Sequence, residues 1–369
     1  MSDPRLRRMA QVLVRYSLGL KQGDRFAITA TPLAASLVRE LVQEALRVGA
    51  YPETFITLPN VQETFFKEGS DDQLRYISPG FRAVVEEYEA MIEIAADENT
   101  KILNSVDPSR LAVLQSARSD LMQTFMRRSF ENALRWCTTL FPTNAFAQDT
   151  GLSLHDFEDF VYRACFLDED DPVARWEELS RQQEKYVQWL NGKHTVHLLG
   201  PDTDLSFSID GRVFVNCDGR RNFPDGEFFT GPVEDSVNGY IRYTFPASYQ
   251  GRSVEDVRLR FENGVVVEAS AAQGQNYLEA LLGIDQGARR LGEFAFGNNP
   301  YVDRCTRNIL FDEKMGGTVH LALGNSIPES GGVNQSALHW DMVCDLRAGS
   351  EIRVDGELFS KDGKFVIKP

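Results

Sequence analysis

Two histidines in the carboxy-terminal part of the chain sit in short apolar runs: His320 within Thr318–Leu323, and His339 in the triplet His339-Trp340-Asp341. A loop containing Pro328, Gly331 and Gly332 lies between them. Side chains two apart on a strand share a face. Read as strands, the runs put His320 beside Thr318 and Ala322, and His339 beside Asp341 and Val343. Val319, Leu321 and Leu323, like Leu338, Trp340, Met342 and Cys344, then point the other way, towards a core. Neutral imidazoles and a carboxylate held on strand faces are ligands for zinc, cobalt or manganese. Each histidine taken singly is more readily a satisfied polar side chain than a ligand; the whole stretch makes metal binding the better reading.

Two acids upstream stand out by their surroundings. Glu227 lies in Asn222-Phe-Pro-Asp-Gly-Glu227-Phe-Phe-Thr-Gly-Pro232, and Glu293 in Leu291-Gly292-Glu293-Phe294. A charge among so many apolar neighbours is costly unless a partner compensates it, and a metal ion is such a partner. The serines near the histidines, Ser326 and Ser336, sit in no nucleophile elbow, so a Ser-His-Asp hydrolase is the poorer reading.

The elements that must carry these residues fall into two textures. At 369 residues the chain exceeds one ordinary core, and two domains are expected, 1–190 and 191–369. In the first, Asp3-Pro4 caps a helix with Leu6, Met9, Leu13 and Tyr16 at helical spacing. Strand Arg25–Ala30, a second cap at Thr31-Pro32, helix Leu33–Val48 and strand Glu53–Leu58 form a β-α-β unit. Strands at Met91–Ala96 and Arg135–Phe141 flank a helix from Asp107-Pro108 to about Met126. Helical texture then runs from Ser153 to Leu190, interrupted at Asp168–Asp171. The fold class is therefore α/β, a layered amino-terminal domain followed by a mainly β, α+β domain that binds metal. In that second domain short strands are spaced by turns, Asn263-Gly264 marks a hairpin, a helix is expected over Asn276–Leu291, and a last hairpin turns at Asp362-Gly363.

Composition narrows the partners. With 39 basic and 54 acidic residues the formal charge is −15, which argues against a nucleic-acid backbone or an anionic membrane. No apolar run reaches membrane-spanning length, and Met1–Leu20 lacks the apolar core of a signal peptide. Five scattered cysteines without a C-x-x-C pair speak against a disulfide framework, so a cytoplasmic location is expected. No G-x-G-x-x-G or P-loop pattern follows a strand, and no nucleotide is inferred.

Four segments in order, PDGEFFTGP around Glu227, LGEFAFGNN around Glu293, LFDEKMGGTVHLALG from Leu310, and GGVNQSALHWDMVCD from Gly331, resemble the metallo-aminopeptidase family represented by aminopeptidases T and S, of the thermophilic metalloprotease type. The resemblance implies two divalent metal ions, Zn, Co or Mn, held by Glu227, Glu293, His320, His339 and Asp341, with Glu293 shared between them. It adds Glu313 as ligand or general base, although here Glu313 stands seven residues before His320 where many relatives have five. It implies a peptide substrate with a free amino terminus and a homodimer whose sites face a restricted internal cavity. The expected mechanism is attack on the first peptide bond by a hydroxide held between ions roughly 3.5–4 Å apart, with Glu293 and Glu313 as the catalytic acids. Spare carboxylates would receive the substrate ammonium and shuttle the proton. The family's tyrosine seven residues after the first histidine is Ile327 here, which removes one donor for an oxyanion, a change of about 10²- to 10³-fold in rate. A metal- or peptide-binding relative with little activity, or a hydrolase of another amide, are the alternative expectations.

Overall fold

The computed structural model describes residues 3–367, and the chain forms two compact units. The first comprises the chain up to Arg175 with the short return Gly219–Pro224; the second comprises Trp176–Asp218 and the chain from Asp225 onwards.

The first unit is α/β, as the sequence alternation implies. Five parallel strands lie in the order Tyr51–Ile56, Arg25–Ala30, Ala90–Ala95, Arg135–Leu140, Asn222–Phe223. Their buried side chains, Phe26, Ile28, Ile92, Ile94, Cys137 and Leu140, form the sheet's share of the core. The helix Pro4–Val12 begins where Asp3 accepts a hydrogen bond from the Arg5 backbone N–H, and it buries Leu6, Met9, Ala10 and Val12. Its last turn widens into a π turn, Leu13–Ser17. Thr31 departs from its expected role: its hydroxyl does not cap the following helix but donates to the Ala96 carbonyl at 2.7 Å, tying two strand ends together. The long helix expected from Asp107 is two, Pro108–Ala117 and Ser119–Phe130, broken at Arg118.

At the other ends of the strands, Arg25 clasps Glu89: the guanidinium donates to both carboxylate oxygens at 3.1 and 2.8 Å, and the Arg25 backbone N–H adds a bond of 2.7 Å. These bonds hold the Glu89 carboxyl down to about 2. A carboxylate whose folded pKa is depressed contributes stability above its unfolded value, near 4.5, and loses it as the pH falls towards 2. Glu89→Gln should therefore flatten the acid limb of thermal stability between about pH 4.5 and 2 relative to the parent chain. Parallel Tm curves for the two proteins across that range would show that the clasp contributes nothing.

The second unit is mainly antiparallel β. One sheet has eight strands, ordered Val265–Ser270, Val257–Glu262, Asn238–Tyr243, Thr203–Ser208, Thr195–Gly200, Glu351–Val354, Glu357–Lys361, Lys364–Phe365. The other has five, His339–Asp345, Thr318–Gly324, Leu291–Gly297, Glu227–Thr230, Val215–Cys217. A single apolar cluster joins them. Phe207 of the larger sheet meets Phe294 of the smaller edge-on at 4.9 Å, and Phe296 meets Phe359 at 5.2 Å. Asn263 and Gly264 both take positive φ (49° and 79°), the conformation of a tight hairpin turn, so the Asn-Gly reading is realised. The helix expected over Asn276–Leu291 is shorter, Gln275–Leu282; Gly283 follows its end, and Leu291 already belongs to the strand that carries Glu293. Among the described residues no helix is long and apolar enough to cross a membrane.

Candidate metal centre

The five-stranded sheet has a core face and a polar face, and the strand period assigns residues to each. Phe294, Phe296, Leu321, Leu323, Trp340 and Met342 all belong to the apolar cluster. Their neighbours Glu293, His320, His339 and Asp341 must point to the opposite side. Register then aligns strands from distant parts of the chain: Ala322 lies between Glu293 and Asp341, His320 between Ala295 and Val343, Gly324 opposite His339, and Glu227 opposite Gly297. Positions facing the polar residues are mostly alanine or glycine, which leaves room for imidazole and carboxylate groups. The strands Leu291–Gly297 and Thr318–Gly324 are buried along their whole length.

The resulting geometry centres on Glu293. His320 Nε2 lies 3.4 Å from Glu293 Oε1 and 3.3 Å from Glu227 Oε2. His339 Nε2 lies 3.4 Å from Glu293 Oε2 and 3.3 Å from Asp341 Oδ2. One carboxylate thus turns its two oxygens towards two imidazoles, and each imidazole has a second acid beside it. Glu227, Glu293 and His320 offer ligand atoms within 4.8 Å of one another, as do Glu293, His339 and Asp341. Glu313 with His320 and Asp341 forms a third such group. Between Glu313 and His320 the chain makes a turn in which the Thr318 N–H donates to the Met315 carbonyl and Gly317 takes a φ of +84°. All six sequence-derived candidates therefore converge.

Their supports are specific. His339 Nδ1 sits 2.8 Å from the Asn325 carbonyl, an acceptor only, so Nδ1 carries the proton and Nε2 is the nitrogen left to ligate. Gln183, wholly buried, donates to the backbone carbonyls of Cys217 and Glu227 at 2.9 and 3.0 Å, and fixes the strand on which Glu227 rides. Asp312, next to Glu313, is engaged elsewhere; its Oδ1 accepts from the Thr306 N–H and hydroxyl.

One group escaped sequence reasoning. Lys314 is fully buried, and its ammonium lies 2.6 Å from Glu227 Oε1, 2.5 Å from Glu313 Oε1 and 3.5 Å from Asp225 Oδ1. Burial alone would depress its pKa, but the three carboxylates outweigh burial and hold it well above the ordinary lysine value. Near Cys217, Asp225 and Glu227, a further trio of possible ligands, the cation is thus this lysine. Burial, reinforced by Asp225 and Glu227, keeps the Cys217 thiol protonated. The only signal in the sequence was a lysine inside an acidic and apolar motif, which composition-based reasoning assigns to the surface.

The donor set fits a divalent metal. Glu227 Oε2, His320 Nδ1 and Asp341 Oδ1 are buried and have no hydrogen-bond partner among the described residues. Burial disfavours a charged imidazole, yet the facing carboxylates pull both His320 and His339 above the usual histidine range. Burial likewise would raise Glu293, but its bonds to the two histidines win and lower it. Glu313 moves upward, chiefly because burial penalises its charge. The cluster as a whole calls for positive charge, and its nitrogen and oxygen donors are those that suit zinc, cobalt or manganese.

The family model described as thermophilic metalloprotease (M29) matches residues 2–366. Aminopeptidase 2 of Geobacillus stearothermophilus is 30% identical, over 98% of this chain and 95% of its own. Aminopeptidase T of Thermus aquaticus is 29% identical over 96% and 94%. The solved wild-type AmpT from Thermus thermophilus superposes with a TM-score of 0.85 at 26% identity, covering 99% of both chains. The chain belongs to the thermophilic metalloprotease (M29) family, a family of metal-dependent enzymes whose named relatives here are aminopeptidases.

Proposed function

We propose that this protein is an aminopeptidase that binds two divalent ions, one on the Glu227–His320 side of Glu293 and one on the Asp341–His339 side. The observation that carries the reading is the Glu293 carboxylate, whose two oxygens face two different imidazoles at 3.4 Å each. Charge points the same way. The buried acids Asp225, Glu227, Glu293 and Asp341 outnumber the one buried lysine, Lys314, so the cluster has room for further positive charge. When bound, such ions acidify water and polarise a carbonyl.

The protein's own groups do the rest. Asn325 and the strand register aim the imidazoles, and Lys314 holds Glu227 and Glu313 in place. Glu313, whose buried carboxyl has a raised proton affinity, is suited to take a proton from the attacking water and deliver it to the leaving amine. The acidic surroundings suit the α-ammonium of a peptide with a free amino terminus. The resemblance to the named relatives extends the proposal to a homodimer, and five cysteines without a disulfide fit a reducing, cytoplasmic location.

The test is to strip metal with a chelator, restore zinc, cobalt or manganese separately, count bound ions, and follow release of the first residue from aminoacyl amides. Two ions per chain and turnover confined to substrates with a free amine are expected. Equal turnover of N-acetylated substrates would refute exopeptidase action, and saturation at one ion would refute the two-ion site.

A further inference from the structure

The two sides of Glu293 are not equivalent. On one side His320 lies beside Glu227 and Glu293 Oε1; on the other His339 lies beside Asp341 and Glu293 Oε2. Each side offers the same kinds of donor: an imidazole nitrogen, a carboxylate of its own and one oxygen of the shared carboxylate. What surrounds these donors differs in two respects.

The first is charge. Lys314 is wholly buried, and its ammonium lies 2.6 Å from Glu227 Oε1, so that only Oε2, which has no hydrogen-bond partner among the described residues, is left to ligate. The same ammonium lies 2.5 Å from Glu313 Oε1. A cation arriving at Glu227 Oε2 and His320 Nε2 therefore meets a like charge across a single carboxyl group, in surroundings too buried for water and salt to screen. The other side has no such neighbour. Among the described residues no lysine or arginine pairs with Asp341 or Glu293, whose ion-pair partners are the imidazoles.

The second is the support behind each imidazole. His339 Nδ1 is held 2.8 Å from the Asn325 carbonyl, which selects the tautomer with Nε2 free. His320 Nδ1 is buried and has no hydrogen-bond partner among the described residues. The tautomer that frees its Nε2 thus leaves an N–H donor buried without an acceptor, which is costly. A ligating histidine ordinarily donates its other N–H to an acceptor, and loss of that partner lowers metal affinity about 10- to 100-fold. The lysine and the unsupported imidazole are separate observations, and both disfavour the same side.

We propose that the two ion sites are unequal, the Asp341–His339 side holding its ion tightly and the Glu227–His320 side binding its ion about tenfold or more weakly, because Lys314 repels it and His320 lacks a supporting acceptor. The inference rests on the two-ion reading given above. Turnover then follows the weaker binding event, so the enzyme responds to the free concentration of its metal instead of carrying both ions permanently.

Mutual repulsion weakens whichever ion binds second, so the two sides are measured one at a time. His339→Ala retains the Glu227–His320 side and His320→Ala the Asp341–His339 side; calorimetric titration of each chelator-stripped variant with cobalt gives the two affinities. His320→Ala is expected to bind its ion about tenfold or more tightly than His339→Ala. Lys314→Gln keeps an N–H donor for Glu227 but removes the charge. It should tighten binding about tenfold in the His339→Ala background and change it by less than about threefold in the His320→Ala background, an arm that also shows the substituted chain still folds. Equal affinities of the two single-side variants, or tighter binding by His339→Ala, would overturn the inference while leaving the two-ion reading in place, and this comparison needs no change at Lys314. A His339→Ala affinity that Lys314→Gln fails to raise would overturn it as well. Saturation of the unsubstituted protein at one ion would instead refute the two-ion reading, and the inference with it.

Discussion

Glu293→Gln should lower kcat/KM for an aminoacyl amide by at least the ~10²- to 10³-fold seen when one electrostatic group is removed from a hydrolytic site. It should also reduce the number of bound ions. The substitution preserves shape but leaves one carbonyl oxygen where two carboxylate oxygens faced His320 and His339. Both imidazoles then lose the acid they share. Glu313→Gln is the informative contrast: Glu313 lies at the edge of the cluster, with its carboxylate on Lys314, and as a proton carrier its loss should cost ~10²- to 10⁴-fold in kcat with both ions retained. Metal counting beside steady-state kinetics separates the two. A Glu293→Gln protein that keeps two ions and full turnover would remove the shared-carboxylate reading.

Lys314→Met should destabilise the second unit by about 3–5 kcal/mol, the usual consequence of deleting one partner from a buried ion pair. The ammonium is wholly buried and touches Glu227 and Glu313 at 2.6 and 2.5 Å, so its removal strands two carboxylates in an apolar interior. Replacing Glu313 by Gln in the same chain should return part of that loss, because one of the stranded charges disappears with it. Urea unfolding midpoints of the single and double variants measure both effects. A Lys314→Met protein within 1 kcal/mol of the parent, the scale of an exposed pair, would mean that the lysine is not needed to hold these acids.

Much of the site was legible before any coordinates. The alternation in Thr318–Leu323 and His339–Cys344 is a local property of extended chain, so the shared faces of His320, His339 and Asp341 follow from the residues alone, and the register confirms them. Caps were partly legible: Asp3 and Asp107 do accept from the first turns of their helices, whereas Thr31 finds a better partner in a neighbouring strand. The helix expected to reach Leu291 stops at Leu282, where Gly283 follows, and a short 3-10 turn, Gly287–Arg289, fills part of the stretch before the Leu291–Gly297 strand.

The sequence by itself determined the kinds of ligand atoms, the strand faces that carry three of them, the apolar surroundings that single out Glu227 and Glu293, and the family resemblance through which Glu313 became a candidate. Tertiary structure decided how those acids meet the histidines, because register between strands from distant parts of the chain is set by packing of Phe294, Phe296, Leu321 and Trp340 into one core. It also decided the burial of Lys314, a feature with no signature along the chain. A lysine is ordinarily solvated, and only the convergence of Asp225, Glu227 and Glu313 makes its burial tolerable.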